Sequence, residues 1–136
     1  MAHDITRVEY FYTSVEDQPG ASFRILSLLA DAGVNLLALT TVPTGPNRAQ
    51  LALFPERPAE LQRLARSGLQ LDGPHSAILV RGDDVLGALS GIHERLAEAG
   101  VNVYAATGVT GGAGRFGYII YVRPTDLDTA AKTLGA

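Results

Sequence analysis

The sequence predicts an α+β protein made from two copies of one motif, and three observations predict it. Residues 29–42 (LADAGVNLLALTTV) align without a gap on residues 96–109 (LAEAGVNVYAATGV), and the same sixty-seven-residue offset sets Gly20 on Gly87, Asp17 on Asp84 and Arg48 on Arg115. A register held across most of a half-chain marks an internal repeat. Each copy also alternates strand-like and helix-like stretches in one order. Finally, 136 residues that are 46% hydrophobic and 18% charged suit a compact globular chain. Folding at this length buries roughly two-thirds of the unfolded surface, whereas half the length alone would be marginal. The expected domains are residues 1–72 and 73–136.

The elements follow in order. RVEYFYTSV (7–15) is rich in aromatic and β-branched residues and reads as a strand. EDQPG (16–20) is a turn, where Asp17 suits a helix cap and Pro19 a first helical position. Residues 21–32 place Ile25, Leu26 and Leu29 at helical spacing, and Gly33 stands where a left-handed residue ends a helix. VNLLALTTV (34–42) is a strand with apolar residues in both alternating sets, which predicts burial on both faces. PTGPN (43–47) is a hairpin loop, RAQLALF (48–54) its partner strand, residues 58–68 a helix, and LQL (69–71) a short closing strand. DGP (72–74) reads as a linker. The second copy gives strand 76–82, helix 84–99, strand 101–109, strand 115–122 and helix 124–134, with no clear last strand. The order β-α-β-β-α-β is the ferredoxin-like motif, an antiparallel sheet with two helices on one face. An unfilled sheet edge and an apolar bare face both point to pairing between chains.

Several classes of function are excluded. Net charge is −3 with no basic cluster, which argues against nucleic acid as a partner. There is no cysteine, so there are no disulfides, no thiol chemistry and no cysteine metal site. The segment MAHDITRVEY lacks an apolar signal core and no apolar run spans a bilayer, so a cytoplasmic protein is expected. GAGRFG (112–117) fits a dinucleotide-loop pattern, but it leads into the strand YIIYV where that chemistry needs a helix. His3, His75 and His93 show no metal-ligand spacing; they read as a terminal, a linker and a helix-surface residue. Asp83–Asp84 reads as a helix start. No nucleophile–base–orienter set can be assembled, so no enzyme, no cofactor and no metal is expected.

The turn at 17–20 leaves helix N–H groups and the positive dipole end free for a carboxylate, and Asn35 offers both donor and acceptor. DQPGASFRILSLLADAGVNLLAL (17–39) resembles the ACT domain signature: an acidic residue, Pro-Gly, an amphipathic helix ending in G-V-N, and a strand. The second copy resembles it more loosely, with DVLG (84–87) in place of DQPG and GVNV (100–103) intact. The resemblance implies a stand-alone tandem ACT protein that senses a small ligand, most often an amino acid, where two such domains meet. Carried over position by position, the ligand-binding candidates are Asp17, Gln18, Pro19, Gly20, Gly33, Asn35 and Leu36, with Asp84, Gly87, Gly100, Asn102 and Val103 in the second copy. Leu86 replaces the proline of the second loop, which weakens its claim to a ligand. Gly33 and Gly100 have the competing reading of plain helix ends, and the two asparagines that of corner ties. The expected function is a non-catalytic, amino-acid-binding regulatory homodimer. The alternative is an interaction module for a separately encoded enzyme, with no small ligand.

Overall fold

The computed structural model describes residues 3–136; the first two residues of MAHDITRVEY lie outside that range. The elements are β1 (Asp4–Glu16), α1 (Ala21–Asp31), β2 (Leu36–Pro43), β3 (Arg48–Pro55), α2 (Pro58–Arg66), β4 (Asp72–Asp83), α3 (Ala88–Glu98), β5 (Ala105–Gly112) and β6 (Arg115–Tyr121). A single 3-10 turn (Pro124–Asp126) then leads into α4 (Leu127–Leu134). The α+β class with ferredoxin-like repeats is as the sequence predicts.

The chain forms two compact units. One is Glu9–His75; the other joins the N-terminal segment through Val8 to Ser76–Ala136. β1 and β4 are therefore each divided between units. In the first unit the strand order is β2-β3-β1-β4, and in the second it is β1-β4-β6-β5. This arrangement supplies the strand that the second copy lacks. The start of β1 lies beside β4 and fills that edge from within the chain, so the missing strand is no sign of a second chain. It also corrects the reading of DGP as a linker. Residues 72–74 open a twelve-residue strand, and LQL, expected as the closing strand, lies outside regular structure. The reason is continuity: Asp72–His75 of this strand belong to the first unit and Ser76–Asp83 to the second.

Each unit has its own core. In the first, Phe11, Leu29, Val34, Leu51, Leu53 and Leu61 are buried together, with Ile25, Leu26 and Leu36 packed at the margin. In the second, Ile78, Val80, Ile92, Leu96, Phe116 and Ile120 fill the equivalent space, joined by Ala130, Ala131 and Leu134 of α4. Burying each large side chain contributes about 1.5–3 kcal/mol. The register explains who faces inward. Phe11 pairs with Leu53 and Thr13 with Leu51, so alternate residues of β1 and β3 meet the helices. Thr13 is buried, and its hydroxyl donates to the Gln70 carbonyl at 3.0 Å, which satisfies it and holds segment 69–71 in place.

Within the single chain, residues 34–42 are covered on one face only. Leu36 joins the core, but Leu37, Leu39 and Val42 are exposed. β2 is the outermost strand of its unit, bonded on one side only, and its register slips between Leu36 and Ala38. The sheet face opposite α1 and α2 carries a ring cluster in which Tyr10 and Phe54 are buried: Tyr10 stacks on Phe54 at 4.8 Å, and Tyr12 and His75 close against Tyr10.

The two β-to-α loops as candidate ligand sites

Both candidate loops are built by one local rule. α1 and α3 each start after a glycine in the left-handed conformation, Gly20 at φ 87° and Gly87 at φ 82°. Neither helix has a side-chain cap or an acidic residue in its first turn. The cap expected of Asp17 is therefore not made. Its N–H bonds instead to the Asn47 carbonyl at 2.9 Å, and Asp84 bonds equivalently to Gly114 at 2.7 Å. Pro19 lies in the exposed turn. Ala21 N–H donates to the Gln18 carbonyl at 3.3 Å and Ala88 N–H to the Val85 carbonyl at 3.2 Å, so the loop itself takes the first donor of each helix; with no side-chain cap beyond that, both starts keep a positive dipole end toward the space before them.

The far ends of these helices are also alike. Gly33 donates to the Ala30 carbonyl and Val34 to Leu29; Gly100 donates to Ala97 and Val101 to Leu96. This pair of hydrogen bonds closes a helix only when the glycine adopts a left-handed backbone, here φ 77° and 76°. Buried Val34 and Val101 seal the turns. Asn35 is occupied too: its Nδ2 donates to Glu56 Oε2 at 3.1 Å, while Glu56 N–H returns a bond to the Asn35 carbonyl. Leu36 and Val103 pack against the two cores, and Asn102 is exposed. An eleven-residue helix is about 16 Å long. Within each copy the candidates thus fall into two groups at opposite ends of a helix, and the structure does not bring them into one pocket.

The loops differ in what surrounds them. A depression of 260 Å³ at the first is lined by Ser14, Glu16, Gln18, Arg24 and Arg48 over a floor of Ala21 and Ile25. The Arg24 guanidinium folds back over Gly20, at the helix start. Arg24 and Arg48 make no ion pair among the described residues, although Glu16 is the register partner of Arg48. The two arginines were not among the sequence candidates. Arg48 was visible as a repeated position, and Arg24 sits one helical turn beyond the loop.

At the second loop a larger depression of 790 Å³ is lined by residues 84–90, Gly108, Val109, Gly117 and Tyr118. Gly108 and Gly117 stand where the first copy has Thr41 and Gln50; the Tyr118 ring fills the place a Gly108 side chain would take, while the space beside Gly117 is open. Gly91 replaces Arg24. Arg115, the counterpart of Arg48, is neutralised by Asp83 at 2.8 Å. Val85, Leu86, Leu89 and Val109 are exposed here, Leu86 completely. At the base, Tyr118 Oη and His93 Nε2 are 2.7 Å apart, and burial raises the Tyr118 hydroxyl above its ordinary pKa. His93 is thus a partnered residue. His3 is packed rather than terminal, lying edge-on to Phe116 and over Gly82.

Residues 10–65 match the ACT domain family. No curated relative matches the sequence. Among solved structures, protein BT0572 from Bacteroides thetaiotaomicron is similar with a TM-score of 0.79 at 17% identity, covering 96% of this chain and 88% of that one. The ligand-free regulatory subunit of aspartate kinase from Thermus thermophilus follows with a TM-score of 0.63 at 18% identity, covering 98% and 93%. Aspartokinase alpha and beta subunits give 0.61 at 15% identity, covering 98% and 95%. At these identities the likeness is one of fold. Among the described residues no helix is long and apolar enough to cross a membrane, and no group of three or more His, Asp or Glu side chains is placed to hold a metal ion.

Proposed function

We propose that this chain is a non-catalytic regulatory protein, two ACT-type units in tandem, that binds an amino acid at the loop between β1 and α1. It works in the cytoplasm as a homodimer whose subunit contacts respond to the ligand. One observation carries the reading. The first loop gathers Gln18, Arg24 and Arg48 around a helix start with no side-chain cap, and among the described residues no carboxylate pairs with either guanidinium. A free carboxylate fits that arrangement. The ACT match over residues 10–65 and the fold shared with an aspartate kinase regulatory subunit support it. The domain boundary near residue 72, and the Gly33–Leu36 and Gly100–Val103 corners as contacts between copies, belong to the same proposal. Control arises because a ligand held partly by each contacting surface binds one arrangement better than another.

A thermal-shift screen against the twenty amino acids tests this. A ligand at a hundred times its dissociation constant adds about 2.7 kcal/mol to native stability, several degrees in Tm. A selective shift that is lost in a Gln18→Ala, Asn35→Ala double variant is expected. The absence of any shift would favour the other reading, an interaction module for a separately encoded metabolic enzyme. Exposed Val85, Leu86, Leu89 and Val109 around the second loop support that alternative.

A further inference from the structure

We infer that the first loop selects an acidic amino acid, a ligand with two carboxylates and one ammonium group. The inference rests on the amino-acid-sensing reading and names the class of ligand. The argument is one of charge. The depression at residues 14–25 and Arg48 holds two guanidinium groups, Arg24 and Arg48, and one carboxylate, Glu16. Its side chains therefore carry a net charge of about +1, before the positive end of α1 is counted. Arg24 makes matters worse for the free protein, since its guanidinium lies over Gly20 at the helix start, where a cation is disfavoured. No acidic residue occupies the first turn of α1 to offset it.

The second copy shows how such a loop looks when its charge is settled internally. There Asp83 pairs with Arg115 at 2.8 Å, and Gly91 stands in place of Arg24. Glu16 and Arg48 hold the same register positions as Asp83 and Arg115 but do not pair. The lining of the depression, which Asp17 does not join, is thus left with two cations and an anion that a single guest can satisfy together. An acidic amino acid carries −1 at neutral pH and matches group by group: a carboxylate for each guanidinium and an ammonium for Glu16. A neutral amino acid leaves one guanidinium unmet, and a plain dicarboxylate leaves Glu16 facing a ligand with no cation. At 260 Å³ the space falls just below the ~300 Å³ at which sites for drug-sized ligands begin, which suits a guest this small.

Isothermal titration of the full chain with L-aspartate, L-glutamate, L-asparagine, L-glutamine and succinate tests the inference. The acidic amino acids are expected to bind at least about tenfold more tightly than their amides and than succinate, with affinity falling as salt rises. Arg24→Gln and Arg48→Gln should each weaken acidic binding about tenfold, while circular dichroism and Tm stay unchanged. Equal affinity for acid and amide, or binding indifferent to both arginine variants, overturns the inference. Binding of neutral amino acids alone, abolished by Gln18→Ala, overturns it and leaves the sensor reading standing. No binding by any amino acid removes both.

Discussion

The loops at residues 17–20 and 84–87 occupy one position in two copies of a motif, yet they have opposite chemistry. The first is small, polar and rich in unpaired positive charge, whereas the second is three times the volume, lined by glycine and exposed aliphatic side chains, with its arginine neutralised. Below the loops the copies diverge again. The His93–Tyr118 hydrogen bond of the second unit stands where the first has Leu26 and Leu51. The backbone devices, by contrast, are duplicated: both helices start at a left-handed glycine and stop at another. Duplication has kept the parts that set chain direction and released those that set recognition.

Substitutions made in pairs sharpen that contrast. The largest effect is expected in the cores, where Leu53 and Ile120 are counterparts and fully buried. Leu53→Ala and Ile120→Ala should each cost about 2–5 kcal/mol in urea unfolding. A cost confined to one of them would show that the two cores do not share the work. Next come the helix starts. Gly20→Ala and Gly87→Ala force a side chain into the left-handed region and should each lose about 1 kcal/mol. Unequal losses would mean the loops differ in backbone as well as in lining.

Tyr118→Phe should cost about 1 kcal/mol through the lost bond to His93. Because the folded-state pKa of Tyr118 is raised by burial, the unfolded chain gives up this proton first as pH passes 10.0. Stability contributed here is intact below that pH and declines as pH rises further. The Phe variant should lose this part of the alkaline decline, and Leu51 gives the first unit nothing comparable. The smallest effect is expected from Asp83→Asn, which frees Arg115. The exposed pair is worth within about 1 kcal/mol, so Tm should barely move. If unpaired charge is what distinguishes the loops, the variant should nonetheless give the second loop a salt-sensitive affinity for carboxylates, read by titration with L-aspartate.

Much of this was legible in the sequence, for physical reasons. The offset between AGVN at 32–35 and at 99–102 located both helix ends, because only glycine closes those turns without strain. Alternation located β1 and β3, and helical spacing located α1 and α3. The division of β1 and β4 between units was not legible, since which strand fills an edge depends on contacts far apart in the chain. The cap expected of Asp17 failed because a left-handed glycine took the cap position itself. Nor was the edge position of β2 legible, because apolar residues in both alternating sets do not tell an edge strand from a central one. Gln18 was found in the first loop's lining, but Arg24 was missed: a charge on a helix looks like a solvated face until its direction is known.

The sharing of β1 also sets an order of events during synthesis. Residues 4–8 are made before the elements they meet: they lie beside residues 76–83 and reach α4 through the Arg7–Asp128 pair, 121 positions downstream. Closing so long a loop is slow compared with forming the local hairpin of β2 and β3. Residues 4–8 must therefore wait, unsatisfied, until β4 and α4 have been made. A substitution that weakens residues 4–8 would therefore burden the unit that contains α3 and α4, not the one that contains α1 and α2.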